Sequence, residues 1–140
     1  MNLCEALDRA REVNSALESF YRSVARHSIQ RSLSALAGAA AEQRHTLDEE
    51  LVALIDGLSP EVGGGSAPSF ETQPPPDAKA PLETILAWIH VVERGEQSRY
   101  SGLADIAGAN SDTAIRLTAF AEQSRKRADM ARGHLDLLGL

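Results

Sequence analysis

The sequence has one cysteine, Cys4, so no disulfide can form within the chain and no Cys-x-x-Cys pair can hold a metal. Aromatic residues make up only 4%. A β-sandwich draws on aromatics together with Val, Ile and Thr, whereas the Ala and Leu that abound here favour close helix–helix packing. Positive charge is also short: 14 Lys and Arg stand against 20 Asp and Glu, for a net charge of −6. That balance disfavours phosphate backbones, and the one basic cluster, Arg125-Lys126-Arg127, is soon followed by Asp129, as on a solvated helix face. No run reaches the roughly 18 apolar residues of a membrane span. Met1-Asn2-Leu3-Cys4-Glu5 lacks the basic-then-apolar pattern of a signal peptide. The expected setting is cytoplasmic, with neither nucleic acid nor membrane as partner.

What the chain does have is a sharp division of labour. Residues 57–81 hold Gly57, Pro60, Gly63-Gly64-Gly65, Pro68, Pro74-Pro75-Pro76 and Pro81. Pro lacks the amide donor and Gly is entropically costly to fix, so no helix is expected there. The glycine run lacks the Gly-Lys-Ser/Thr of a phosphate loop and reads as linker.

On either side, apolar residues step by four and three. Leu3, Leu7, Ala10, Asn14, Leu17, Tyr21 and Val24 mark one face of a first helix. A turn is expected near Arg26-His27-Ser28, with Ser28 as cap, and a second helix from about Ile29 to Asp56. Its stripe is Leu33, Leu36, Ala40, Leu47, Leu51, Leu54 and Leu58, and Gly57 is expected to end it. After Pro81, a third helix carries Leu82, Leu86, Ile89, Glu93, Glu96, Tyr100, Leu103 and Ala107 on one side. A turn at Gly108-Ala109-Asn110-Ser111, with Ser111 or Asp112 as cap, leads to a fourth with Leu117, Ala121, Ser124, Ala128, Ala131, Leu135 and Leu138.

The two halves also match each other. Ala41-Glu42-Gln43-Arg44-His45 mirrors Ala121-Glu122-Gln123-Ser124-Arg125, and Tyr21 mirrors Tyr100. The expected fold is all-α: a single-domain four-helix bundle of two repeated hairpins, about 2–56 and 82–138, joined by the 57–81 linker. Each helix is roughly 40 Å long, and the linker reaches about 80 Å if extended, enough to cross the bundle from end to end. One long central crossover between two hairpins is ferritin-like topology.

Glu93 and Glu96 occupy successive core positions of the third helix, between Ile89 and Tyr100. An ionised carboxylate in an apolar seam must be paired, protonated or metal-bound. A partner such as Asn14 or Arg125 would satisfy them within the core; inward carboxylates are also how di-iron and di-manganese bundles are built. The chain resembles the rubrerythrin branch of the ferritin-like superfamily over all but its linker. In that family a first-helix Glu lies seven residues before a Tyr, helices 2 and 4 carry Glu-x-x-His, and helix 3 carries Glu-x-x-Glu seven and four residues before a Tyr. Glu93, Glu96 and Tyr100 fit fully, as do Glu42 and His45. The first helix has Asn14 at the Glu position, and the fourth has Glu122 but Arg125 in place of the His.

The resemblance implies metal ligation by Glu42, His45, Glu93, Glu96 and Glu122 at a weakened or mononuclear site. It also implies iron, or manganese or another divalent metal, and peroxide- or oxygen-dependent redox chemistry fed by a separate electron donor. Asn14 and Arg125 fit an alternative: a metal-free bundle acting as a structural or protein-interaction module. For the second and fourth helices the charged residues also read as solvated faces, with Glu122–Arg125 a surface ion pair. His90 is a substitute ligand or a helix-surface histidine. A homodimer through Phe20, Trp88 and Val92 is expected from their place beside the core stripes.

Overall fold

Asn2 starts the first helix, its side-chain oxygen accepting the Glu5 amide at 2.8 Å. In the computed structural model, which describes residues 1–58, 66–108 and 111–139, the helices are α1 (Leu3–His27), α2 (Arg31–Gly57), α3 (Leu82–Ala107) and α4 (Asp112–Leu137). The described residues contain no strand, and none of their helices is long and apolar enough to cross a membrane. The fold is the expected all-α four-helix bundle, with α1 packed along α2 and α3 along α4.

Helix ends follow local chemistry, with small departures from expectation. Ser28 closes α1 rather than opening α2, which begins after Gln30 without a side-chain cap. Gly57 is the last residue of α2 and keeps negative φ; extended Leu58 stops the helix. Pro81 immediately precedes α3, where its missing amide costs nothing. Gly108 ends α3 at φ 94°, a left-handed conformation that favours glycine, and Ser111 caps α4 by accepting the Ala114 amide at 3.0 Å. Ala109 and Asn110 of the expected turn, and the Gly63–Gly65 run, lie outside the described residues.

The helix directions follow from two apolar clusters. One joins the end of α1 (Leu17, Tyr21, Val24) and the start of α2 (Leu33, Ala37) to the start of α3 (Ile85, Leu86, Ile89) and the end of α4 (Ala131, Leu135). The other joins the start of α1 (Leu3, Leu7) and the end of α2 (Leu51, Leu54) to the end of α3 (Tyr100, Leu103) and the start of α4 (Leu117, Phe120). Helices α2 and α3 therefore begin at the same end and run parallel. Their connection must traverse the bundle, the long crossover of ferritin-like topology.

The described part of that crossover lies along α3 in the opposite direction. Pro68 packs on Gly102, where an added Cβ would meet the Pro68 Cβ at 3.2 Å. The Ser69 and Glu71 carbonyls accept from Arg99, and the Gln73 carbonyl accepts from Trp88 Nε1 at 3.2 Å. Ala78 and Ala80 then reach the first cluster. Trp88 also packs against Phe20 with the two rings tilted and their centroids 4.6 Å apart, and both are buried with Val92. The face expected to support dimer contacts is thus covered by the chain itself.

Candidate functional site

Between the two apolar clusters lies a polar layer. Asn14, Arg44, Glu93, Glu96, Arg99, Ser124 and Arg127 are all buried there. Each sits in helical register with apolar neighbours: Asn14 between Ala10 and Leu17, Arg44 between Ala41 and Leu47, Ser124 between Ala121 and Ala128. Ionised groups at such depth are stable only with partners.

The partners form an alternating chain, Arg127–Glu93–Arg44–Glu96–Arg99. Arg127 Nε donates to Glu93 Oε2 at 3.0 Å, and Arg44 Nη2 donates to Glu93 Oε1 at 2.6 Å. Arg44 Nη1 donates to Glu96 Oε1 at 2.8 Å, and Arg99 Nη1 takes Glu96 Oε2 in a very close pair. Tyr21 Oη adds a hydrogen bond to Glu93 Oε1 at 2.8 Å. Asn14 braces Arg44 twice, accepting from its Nη1 at 3.0 Å and donating to its carbonyl at 2.8 Å. Both carboxylates belong to α3, so hairpin 1 contributes the central cation and α4 a second one.

Burial would push the Glu93 carboxyl up, but Arg44 and Arg127 outweigh it and hold the group below the ordinary glutamate range. Burial works against the charge of Arg44 as well; Glu93 more than compensates, and Arg44 is the stronger cation for it. Arg99, chiefly through burial, is lowered. Burial pushes Tyr21 well above the ordinary phenol range, aided by the Glu93 charge, and raises Tyr100 too.

The five residues expected as ligands do not come together. Glu93 and Glu96 point into the layer. Glu42 is exposed and pairs with Arg22 at 3.3 Å; His45 is exposed beside Glu18 and Glu49. Glu122 is on the surface in a close pair with Arg125, which also holds Asp129, so Arg125 faces outward. The Arg125 side chain lowers Glu122. The helical register explains the outcome: with Ala41, Arg44 and Leu47 buried, Glu42 and His45 must lie on the flank of α2. His90 donates or accepts through Nδ1 at the Ala128 carbonyl, 3.1 Å away, between α3 and α4.

A metal pair requires several carboxylate and imidazole lone pairs aimed at one point. Here all four oxygens of Glu93 and Glu96 face guanidinium donors, and no group of three or more His, Cys, Asp or Glu able to hold a metal occurs among the described residues. The buried side-chain atoms left without a partner among those residues are Arg44 Nε and the Tyr100 hydroxyl, neither an anionic ligand. The donor set does not fit a carboxylate-bridged metal site.

Arg44, Arg99 and Arg127 were the residues that sequence reasoning passed over. A signal for Arg44 existed: the α2 stripe jumps seven positions from Ala40 to Leu47, and Arg44 fills the gap at steps of four and three. Compared with protein-family models, with characterised proteins and with solved structures, the chain gives no match.

Proposed function

We propose that this chain is a metal-free four-helix bundle serving as a structural or protein-interaction module. The observation that carries the reading is the saturation of the Glu93 and Glu96 carboxylates by Arg44, Arg99 and Arg127. Arg44 puts a permanent cation between the two carboxylates where a bridged metal would need to bind. A divalent ion there would have to displace at least one buried guanidinium, and leaving that charge unpaired is strongly unfavourable.

The surface that supports self-association is the end of the bundle at the α1–α2 turn. Ile29 is 96% exposed there, Leu137 86% and Leu138 49%. Leu137 and Leu138 line a recess of about 130 Å³ with Leu33, Leu36, Leu82 and Leu86, Ser32 and His134 supplying its polar edge, and Ile29 lies on the adjoining recess that shares Leu33 and Leu82. A projecting isoleucine and a leucine-lined recess on one end suit a two-fold contact between copies of the chain. Sedimentation velocity tests this: Ile29→Asp should shift a dimer to monomer, and a monomeric wild type would remove the contact from the account.

The metal-free assignment is tested by metal analysis of protein purified from iron-supplemented cells, with Glu93→Gln in parallel. Trace metal in both is expected. Stoichiometric iron or manganese in the wild type, lost in Glu93→Gln, would instead favour the rubrerythrin-like redox reading.

A further inference from the structure

The two ends of the charge chain are finished differently. At one end Arg99 is closed off by the Ser69 and Glu71 carbonyls and by the Phe70 ring, 5.6 Å from its guanidinium carbon. At the other end Arg127 has, among the described residues, one carboxylate, Glu93, and otherwise neutral acceptors: Gln43 Oε1 at 2.8 Å and Ser124 Oγ at 3.2 Å. Nη1 and Nη2 of Arg127 therefore each keep one N–H without an acceptor among the described residues. Among the described residues, three buried guanidiniums against two buried carboxylates leave one positive charge in excess. The exposed acids nearby on α2 and α4 are engaged elsewhere, Glu42 with Arg22 and Asp129 with Arg125.

Arg127 also lines a cavity. The groove between α2 and α4, helices that touch only lightly, holds a recess of about 50 Å³ walled by Leu36, Ala39, Ala40, Ile89 and Met130, with Tyr21 and Gln43 also on its lining. Arg127, itself only 6% exposed, supplies the cationic group of this mainly apolar recess. We infer that the recess binds a short-chain monocarboxylate, its carboxylate on the free N–H groups of Arg127 and its apolar tail along Leu36 and Met130. One negative charge balances the excess of the layer, and a charge-assisted hydrogen bond in a partly dehydrated recess is among the stronger kinds. A dianion would overshoot that charge, and a long chain would exceed the recess. A neutral alcohol would gain only the apolar contact.

The test is a titration of the full chain with sodium propionate at constant ionic strength, followed by amide NMR, with 1-propanol as neutral control. Propionate should give saturable shifts centred on Ala39, Ala40 and Met130, and 1-propanol should not. Ala39→Phe, an exposed helix position, should obstruct the recess without touching the charge chain and weaken propionate roughly tenfold or more. Arg127→Gln should do the same, and if that variant does not fold, Ala39→Phe still decides. Non-saturable propionate shifts, equal binding of 1-propanol, or undiminished binding by Ala39→Phe would each overturn the inference.

Discussion

Replacing Arg44 by Met probes the polar layer at its centre. Arg44 is fully buried, touches both Glu93 and Glu96, and is braced by Asn14. Methionine fills much of the same length but removes the cation. Glu96 is left to Arg99 alone, Glu93 to Arg127 and Tyr21, and the Asn14 side-chain oxygen loses its donor. Removing one partner of a buried ion pair costs about 3–5 kcal/mol. That is a large share of the roughly 5–15 kcal/mol that holds a domain of this kind together, and a fall in Tm on the order of 10 °C should accompany it. Urea unfolding followed by helical circular dichroism measures the loss. The double variant Arg44→Met with Glu93→Gln should be less damaging than the sum of the singles by about 1–3 kcal/mol, because the second change removes the carboxylate that the first strands. A loss below ~1 kcal/mol for Arg44→Met, or strict additivity, would refute a buried Arg44–Glu93 pair.

Acid should weaken the fold through Glu93. Its folded-state pKa lies below the ordinary value of ~4.3, so its contribution is complete above that value and is lost as pH falls toward the folded one. Glu93→Gln should flatten the stability–pH curve in that window, and an unchanged slope would count against the pair. The two tyrosines of the chain, Tyr21 and Tyr100, are both buried and both raised, so ultraviolet titration should show neither ionising in the ordinary phenol range while the fold persists. Phenolate absorbance should instead appear together with loss of helix. Gly102→Leu should push Pro68 away, since even a Cβ there would lie 3.2 Å from its Cβ. The expected result is faster proteolysis of residues 66–80 and red-shifted emission from Trp88, the single tryptophan, which donates to the Gln73 carbonyl, with helix content kept.

The fold was legible because helical periodicity and the Pro/Gly linker act locally, and the linker was long enough to allow an end-to-end crossover. Glu93 and Glu96 were legible as buried carboxylates for the same reason: they interrupt an apolar stripe that has to face inward. Their partners were harder to read. Arg44 comes from another hairpin, and which flank of α2 turns inward depends on packing against α1, which a stripe of leucines constrains only to within a residue or so. Glu42 and His45 sit two before and one after Arg44, a displacement that moves a side chain from core to surface. Arg127 shows the reverse: within the basic cluster 125–127, Arg125 faces outward and Arg127, two positions on, inward.

A titration with paramagnetic Mn²⁺, read at the Arg44 and Arg127 Nε–H signals and the Glu93 and Glu96 amides, most directly tests the claim that arginine occupies the centre of this bundle. Any Mn²⁺ broadening should stay weak and non-saturable, spread over the exposed acids of the surface with no maximum at Glu93 or Glu96. Selective, saturable broadening centred on Glu93 and Glu96 would contradict it.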